Sequence, residues 1–301
     1  FNSIRFDEEM LRQAFYQNLQ PDIFATQFNG NTRFDLLTAL YAVWHRQPDL
    51  FEWPVDETGR VRFKLDLIAP LNGFAAHNAH DALGDVEATI HIAREIAQRA
   101  PALWAELLAN RDKAGGQARL EAFQPMALIE RFGGGSPRAT LGCFCGYSAN
   151  NPNQAAFFDL DAGDPADFLT ADDAVLLAAV DATPKIIRSV SVNKTPALLS
   201  LATPTDLQLR RAEVIANAPE FRARVAQALA ARFPEDPAAP TPLVEKQIFG
   251  GFYSHADKGL LAQFQREDWP QRQEIVATLS DENGGAKLDH GGGGIVQLRA
   301  E

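Results

Sequence analysis

The chain has 301 residues, of which 46% are hydrophobic, and its formal net charge is −11. The length allows two modest or three small domains, and the acidic balance argues against a protein that coats nucleic acid through a broad basic face. No apolar run approaches the roughly 20 residues of a membrane helix. The first residues, Phe1-Asn2-Ser3, do not begin a signal peptide, which would have a basic region followed by an apolar region. We therefore expect a cytoplasmic protein without a membrane partner.

The first hundred residues predict helices that alternate with short extended pieces. Asp7 is a candidate cap for a helix, and a second helix is expected over residues 34–43. A long helix is expected over residues 81–100, ending before Pro101. The apolar positions that we expect on the buried sides are Met10, Leu11, Ala14 and Phe15 in the first helix, and Leu83, Val86, Ile90, Ala93, Ile96 and Ala97 in the long one.

The composition changes after a further helical stretch at residues 101–120. Short apolar runs separated by Gly, Pro and Asn turns predict strands and hence a small, mostly β domain, for which a barrel is one option. These runs are 127–132, 140–147, 155–160 and 185–192. Cys143 and Cys145 fall in one run, where two reduced thiols are the expected state rather than a disulfide or a zinc site.

Helices are predicted again at residues 205–217 and 219–233, before a proline-rich linker at 234–242. The last residues, 281–301, contain two glycine runs and lose the apolar period. A phosphate-binding loop would need a following helix with Lys-Ser or Lys-Thr, and none follows here. We interpret this end as disordered.

His80 and Asp85 stand five positions apart where a loop enters the long helix. Metal-assisted hydrolysis of a phosphodiester needs an anionic ligand for a divalent ion and a nearby base with a pKa near neutral. Beside Val86 and Ile90, Asp85 is expected at the interior edge of the domain, where a carboxylate must be paired or hold a metal. A solvent-exposed Asp85 and a solvent-exposed His80 are the alternatives, and His77 and Asp81 are neighbours of similar chemistry.

Together these motifs resemble the bacterial exonuclease I family, in the DEDDh superfamily of 3′→5′ exonucleases. The similar segments are 1–9, 34–37, 63–65, 78–89, 191–196 and 250–257, and the resemblance covers about residues 1 to 279. The His-x-Ala-x-x-Asp spacing at His80 and Asp85 is typical of the histidine branch of that superfamily.

The resemblance implies an α/β fold class with three domains. Residues 1–100 would be the C-terminal part of a ribonuclease-H-like exonuclease domain, 101–253 an SH3-like β domain, and 254–301 the start of a truncated helical domain. It implies a monomeric hydrolase that degrades single-stranded DNA from its 3′ end to mononucleotides in DNA repair and recombination. Single-stranded DNA-binding protein is a further partner that the family suggests.

The resemblance also assigns roles to residues of this chain. Asp85 and Asp7 would be ligands in a two-metal site for Mg²⁺, with Mn²⁺ able to substitute, and His80 would be the general base. Lys64 falls where the family has a basic residue that contacts substrate; a lysine lacks the bidentate fork of arginine. Arg12, on the helix of Asp7, could meet the phosphate backbone.

The chain departs from the family pattern at its start. The family's first motif, Asp-x-Glu on an opening strand, would precede Phe1, and no Asp-x-Glu here lies on a strand leading into the helix of Asp7. The resemblance therefore implies an N-terminally truncated fragment that is inactive alone.

Two other functions remain open. An HD-type phosphohydrolase could use His80-Asp81 with His77 and His45, although the β-rich middle has no counterpart in that class. A non-catalytic single-strand-binding module could use aromatic residues for stacking, with Phe249, Phe252 and Tyr253 as candidates.

Overall fold

Ten α-helices, two short 3-10 helices (Pro48–Leu50 and Pro165–Phe168) and five strands are present in the described part of the computed structural model, which comprises residues 1–4, 6–74, 82–233, 243, 246–249 and 251–275. The helices are α1 Asp7–Gln17, α2 Leu36–Arg46, α3 Leu65–Leu71, α4 Ala82–Arg99, α5 Pro101–Leu108, α6 Lys113–Glu121, α7 Asp173–Asp181, α8 Asp206–Ala216, α9 Pro219–Ala231 and α10 His255–Arg266. The strands are β1 Met126–Glu130, β2 Arg138–Tyr147, β3 Gln154–Asp159, β4 Ile187–Ser191 and β5 Ala197–Ser200. None of the helices described is long and apolar enough to span a membrane.

The chain divides into two compact units. The larger, which we call the sheet unit, comprises Phe1–Asn2 and Arg33–Glu235. The smaller, the helical unit, comprises Ser3–Thr32 and Asp236–Glu301. The domain limits expected from the resemblance remain predictions, as do the ribonuclease-H-like and SH3-like assignments.

One antiparallel sheet, in the order β4-β3-β2-β1-β5, organises the described residues of the sheet unit. Because neighbouring side chains on a strand point to opposite faces, the sheet contributes to separate cores. Cys143, Cys145 and Phe158 pack with α7, α8 and α9. Ala127 and Ile129 pack with α2, α4 and α5 instead. The fold is therefore mixed α/β with a helix-covered antiparallel sheet.

The sequence patterns located four of the five strands. β1 to β4 overlap the four predicted runs, and the prediction of a β-rich middle is confirmed. The strand β5 and the helix α7 were not predicted. β2 is longer than expected and its pairing with β3 shifts register between Phe144 and Tyr147. Gly146 lies in this irregular part with φ +117°, a conformation that favours glycine.

Helix α4 buries a different face from the one predicted. Gly84, Ala88 and Ile92 are buried, together with the correctly predicted Ile96. Leu83, Val86 and Ile90 are instead exposed, Leu83 to 63%. The predicted and the observed buried positions both have helical spacing. The helix buries the set that contains Gly84 and Ala88, whose small size allows close packing against the core.

Helix α1 likewise buries an unexpected face. Its buried positions are Glu8, Arg12 and Tyr16, whereas Met10 is 62% exposed and Leu11 is also exposed. The prediction that Asp7 caps this helix is wrong, because Phe6 occupies the N-cap position and no side chain caps the helix there.

The helical unit has its own apolar core. Tyr16 and Leu19 from the N-terminal segment contact Leu261 and Phe264 of α10 within it. A capping box fixes the start of α10: the Ser254 hydroxyl accepts from the backbone N–H of Asp257, whose carboxylate accepts from the Ser254 N–H. This unit thus joins segments more than 200 residues apart.

Candidate functional site

Asp85 lies exposed in the first turn of α4. A carboxylate there is stabilised by the positive end of the helix dipole. Its backbone carbonyl accepts a hydrogen bond from the Thr89 hydroxyl at 2.7 Å. The expected interior position is therefore wrong, and the exposed alternative is the observed one. The role of Asp85 as a metal ligand stays a prediction.

His80, His77 and Asp81 lie outside the described residues. The chain that leads towards them is held firmly up to Phe74. The Asn72 amide accepts from the Glu52 N–H and donates to the Glu52 carbonyl, both at 2.9 Å, and also donates to the Ile68 carbonyl at 2.8 Å. These bonds tie the end of α3 to an earlier loop.

His91 of α4 adds a second anchor to the same segment. Its Nε2 lies 2.8 Å from the Asn72 carbonyl oxygen, and its ring lies 5.4 Å from the Phe74 ring at an interplanar angle of 33°. Helix α4 therefore carries Asp85 at its start and, six residues later, His91, which contacts Asn72 and Phe74. Sequence reasoning missed His91, whose only sequence signal was its place six residues after Asp85 on the same helix.

Asp7 is the first residue of α1 and is exposed. Together with Glu8 and Glu9 it makes the first turn of the helix acidic, which the helix dipole favours. Asp7 belongs to the helical unit, whereas Asp85 belongs to the sheet unit. Across the residues that the structure describes, no group of three or more His, Cys, Asp or Glu side chains could hold a metal ion.

Arg12 is buried, with 5% of its surface exposed, against 7% for its partner Glu8. Its Nη2 lies 2.9 Å from the Glu8 Oε1, and the Thr26 hydroxyl donates to the same carboxylate oxygen. The guanidinium also lies over the Phe24 ring, 5.2 Å from its centroid. Arg12 thus attaches the loop after α1 to that helix, a structural role that the sequence motifs did not predict.

Lys64 is exposed and occupies the N-cap position of α3, in extended backbone with φ −114° and ψ 132°. The buried side chains of Phe63 and Leu65 fix the backbone on either side. The Arg131 guanidinium covers the Phe63 ring at 5.1 Å. The Lys64 side chain is therefore open to solvent at the start of α3, and its contact with substrate stays a prediction.

A cavity of about 420 Å³ lies in the helical unit, and we call it the aromatic pocket. Its lining includes Phe24, Phe28, Phe252, Tyr253 and Lys258. Phe24 meets Phe28 at 6.3 Å and Phe252 at 5.7 Å between ring centroids, in edge-to-face geometry. Phe252 and Tyr253 were candidates from the sequence, whereas the two residues from the loop after α1 were missed because only the fold brings them together.

The HD-type alternative finds no support in the described residues. That class needs several His and Asp side chains around one metal, and no such cluster is present there. Of its candidate residues only His45, at the end of α2, is described.

Comparison with curated proteins and with solved structures gave consistent matches, whereas comparison with protein-family models did not. No protein-family model matches the chain. Exodeoxyribonuclease I of Escherichia coli is 29% identical over 280 residues, covering 87% of this chain and 59% of the relative. Exodeoxyribonuclease I of Haemophilus influenzae is 29% identical over 282 residues, with 87% and 60% covered. The chain thus spans about 60% of the length of these relatives.

Several solved structures that superpose on this chain are of exonuclease I. The structure of E. coli exonuclease I in complex with a dA16 oligonucleotide superposes with a TM-score of 0.73 at 25% identity, covering all of this chain and 70% of that one. A structure of SSB/exonuclease I in complex with the inhibitor CFAM gives a TM-score of 0.69 at 24% identity, covering 100% and 68%. The resemblance predicted from the sequence motifs is therefore confirmed.

Proposed function

We propose, from the premise that this chain is a homologue of bacterial exonuclease I, that it is part of a 3′→5′ exonuclease that hydrolyses single-stranded DNA. The observation that carries the proposal is the sequence similarity to exodeoxyribonuclease I over 87% of the chain. The superposition on the oligonucleotide-bound enzyme, with a TM-score of 0.73, agrees with it.

The proposed site uses Asp7 and Asp85 as ligands for Mg²⁺ and His80 as the base that accepts a proton from the attacking water. The described residues do not fit such a centre by themselves, since they contain no group of three potential ligands. The proposal therefore requires further carboxylates, for which the family's Asp-x-Glu motif is the source. When bound, the divalent ions would stabilise charge on the oxygens of the reacting phosphate.

The two basic residues, Lys64 and Arg12, have different roles in the proposal. Lys64 is exposed at a fixed point of the backbone and suits a contact with a DNA phosphate. Arg12 is buried and paired with Glu8, so its contribution to DNA binding would be indirect, through the loop that contains Thr26 and Phe24.

The wider assignment follows from the same premise. It comprises a monomeric, cytoplasmic enzyme of DNA repair, single-stranded DNA as substrate and single-stranded DNA-binding protein as partner. Residues 1–100, 101–253 and 254–301 would then correspond to parts of ribonuclease-H-like, SH3-like and helical domains.

The decisive change is Asp85→Asn, made in a protein that carries these 301 residues together with the Asp-x-Glu motif. With Mg²⁺, we expect the unsubstituted protein to degrade a single strand labelled at its 5′ end to progressively shorter labelled products. The variant should lose at least about 100-fold in turnover, more than the 10–100-fold that changes around metal ligands cause. Glu87→Gln is the matched control, because Glu87 is also exposed on α4 and carries the same charge.

Equal activity of the Asp85→Asn and wild-type proteins would refute the assignment of this site. We also expect the 301 residues alone to be inactive. Binding of single strands without hydrolysis, in the short and the extended protein alike, would favour the non-catalytic binding module. The specific observation that favours this second function is the aromatic pocket.

A further inference from the structure

A closed turn ends helix α3, and its last residue, Phe74, precedes His80 by six positions in the sequence. The Gly73 N–H donates to the Pro70 carbonyl at 3.4 Å, and the Phe74 N–H donates to the Ala69 carbonyl at 3.0 Å. Gly73 has φ +92°, the left-handed conformation that glycine adopts without strain. These features define a Schellman motif, which ends a helix and sets the direction in which the chain continues.

His91 of α4 reaches this turn from the neighbouring helix. Its Nε2 lies 2.8 Å from the carbonyl oxygen of Asn72, the C-cap residue of α3. Because a carbonyl oxygen can only accept, Nε2 carries a proton and donates it, as it does in one neutral tautomer and in the doubly protonated ring. The bond satisfies a carbonyl at a helix end, where intrahelical donors are lacking. The His91 ring also contacts the Phe74 ring, with centroids 5.4 Å apart.

Helix α4 therefore holds the chain on both sides of His80. After His80, α4 itself begins at Ala82, two positions further on. Before His80, His91 holds Asn72 and Phe74. A stretch of chain whose two ends are fixed has fewer accessible conformations than one fixed at a single end.

We propose that His91 is a positioning residue for the general base His80, because it fixes the turn from which the chain continues to that base. This rests on the proposed function, which assigns the base to His80. A base must lie within hydrogen-bonding reach of the proton that it accepts, and a displacement of about 1 Å can cost about 100-fold in rate. His91 and Asp85 point about 120° apart around α4, so the contacts of His91 are made with the turn.

Amide hydrogen exchange in the 301-residue chain tests whether His91 holds the turn. The Gly73 and Phe74 amides exchange when the turn opens. Loss of one hydrogen bond and one ring contact should raise that opening about 5- to 150-fold in His91→Ala. His91→Gln should exchange more slowly than His91→Ala, because the glutamine amide can donate at a similar reach. Arg94→Ala is the control, because Arg94 is exposed on the same helix, and it should change neither amide.

Kinetics of the extended protein, which carries the Asp-x-Glu motif, test whether the turn positions the base. With Mg²⁺ and a single strand, His91→Ala should lower kcat about 10- to 100-fold, because the base is displaced. KM for the strand should stay within about twofold of the wild-type value, since DNA binding is retained. His91→Gln should recover most of the lost kcat, and Arg94→Ala should match the wild type. Rates are expressed per molecule that binds the strand, so that an unfolded fraction does not lower them.

The outcomes separate the role of His91 from the nuclease assignment. Unchanged exchange of the turn amides, or a wild-type kcat, in His91→Ala would overturn the role of His91, while loss of activity in Asp85→Asn would still support the nuclease. A rise in KM as large as the fall in kcat would also overturn it, because His91 would then serve DNA binding. If the extended wild type hydrolyses no strand, the proposed function fails and the positioning role fails with it.

Discussion

Replacing Arg12 by methionine tests whether this residue is a structural anchor or a direct DNA contact. The side chain is 95% buried, its Nη2 lies 2.9 Å from the Glu8 Oε1, and its guanidinium covers the Phe24 ring. Arg12→Met leaves the Glu8 carboxylate buried, with the Thr26 hydroxyl still donating to it. Removing one partner of a buried ion pair typically costs about 3–5 kcal/mol, and we expect a loss of that size in the free energy of unfolding.

The double variant Glu8→Leu/Arg12→Met provides the sharper measurement. Replacing both partners by apolar groups of similar volume is often neutral or stabilising, so its stability should lie within about 1 kcal/mol of the wild type. The coupling energy between the two positions would then be several kcal/mol. Urea denaturation followed by circular dichroism measures each of these quantities.

A surface pair of the same spacing serves as the control. Glu95 and Arg99 on α4 lie 3.5 Å apart, and their side chains are 28% and 47% exposed. Exposed pairs contribute about 0.2–1 kcal/mol, so Arg99→Met should cost less than about 1 kcal/mol. A cost below about 1 kcal/mol for Arg12→Met, or a double variant at least as unstable as Arg12→Met alone, would refute the anchor role. So would a stable double variant that no longer binds single strands, because Arg12 would then contact DNA directly.

Two further predictions concern the sheet. Gly142→Ala should lower the free energy of unfolding, measured by urea denaturation, by about 1–3 kcal/mol or more, because a Cβ there would lie 2.4 Å from the Phe158 carbonyl oxygen. Gly259→Ala in α10 is the control, because open space surrounds Gly259, and it should raise the free energy of unfolding by about 0.5–1 kcal/mol. Equal effects of the two substitutions would contradict the close packing at Gly142. Burial raises the pKa of the Cys143 thiol to about 12 and raises the pKa of the Cys145 thiol well above its ordinary value. Native protein should therefore resist iodoacetamide at pH 8 and react only after denaturation, whereas native labelling at the rate of a free thiol would show that this strand is accessible.

Local sequence patterns predicted a large share of the elements. The strands β1 to β4 follow from short apolar runs bounded by turn residues, because strand formation and turn chemistry depend on near neighbours. β5 was missed because Ala197–Ser200 has only four residues and no alternation that distinguishes it from a loop. The residues proposed for catalysis also came from local motifs, and whether they form one site remains a prediction.

What the sequence by itself determined is the resemblance to exonuclease I and the existence of most helices and strands, since motifs and periodicity are properties of neighbouring residues. Only the tertiary structure decided which faces of α1 and α4 are buried: in α4 packing selected between two apolar faces of helical spacing, and in α1 it buried the ion-paired face of Glu8 and Arg12 with Tyr16. Only the tertiary structure showed that Arg12 is buried and paired with Glu8. It also joined Phe24 to Phe252 in one pocket, a contact between residues 228 positions apart that no local pattern encodes.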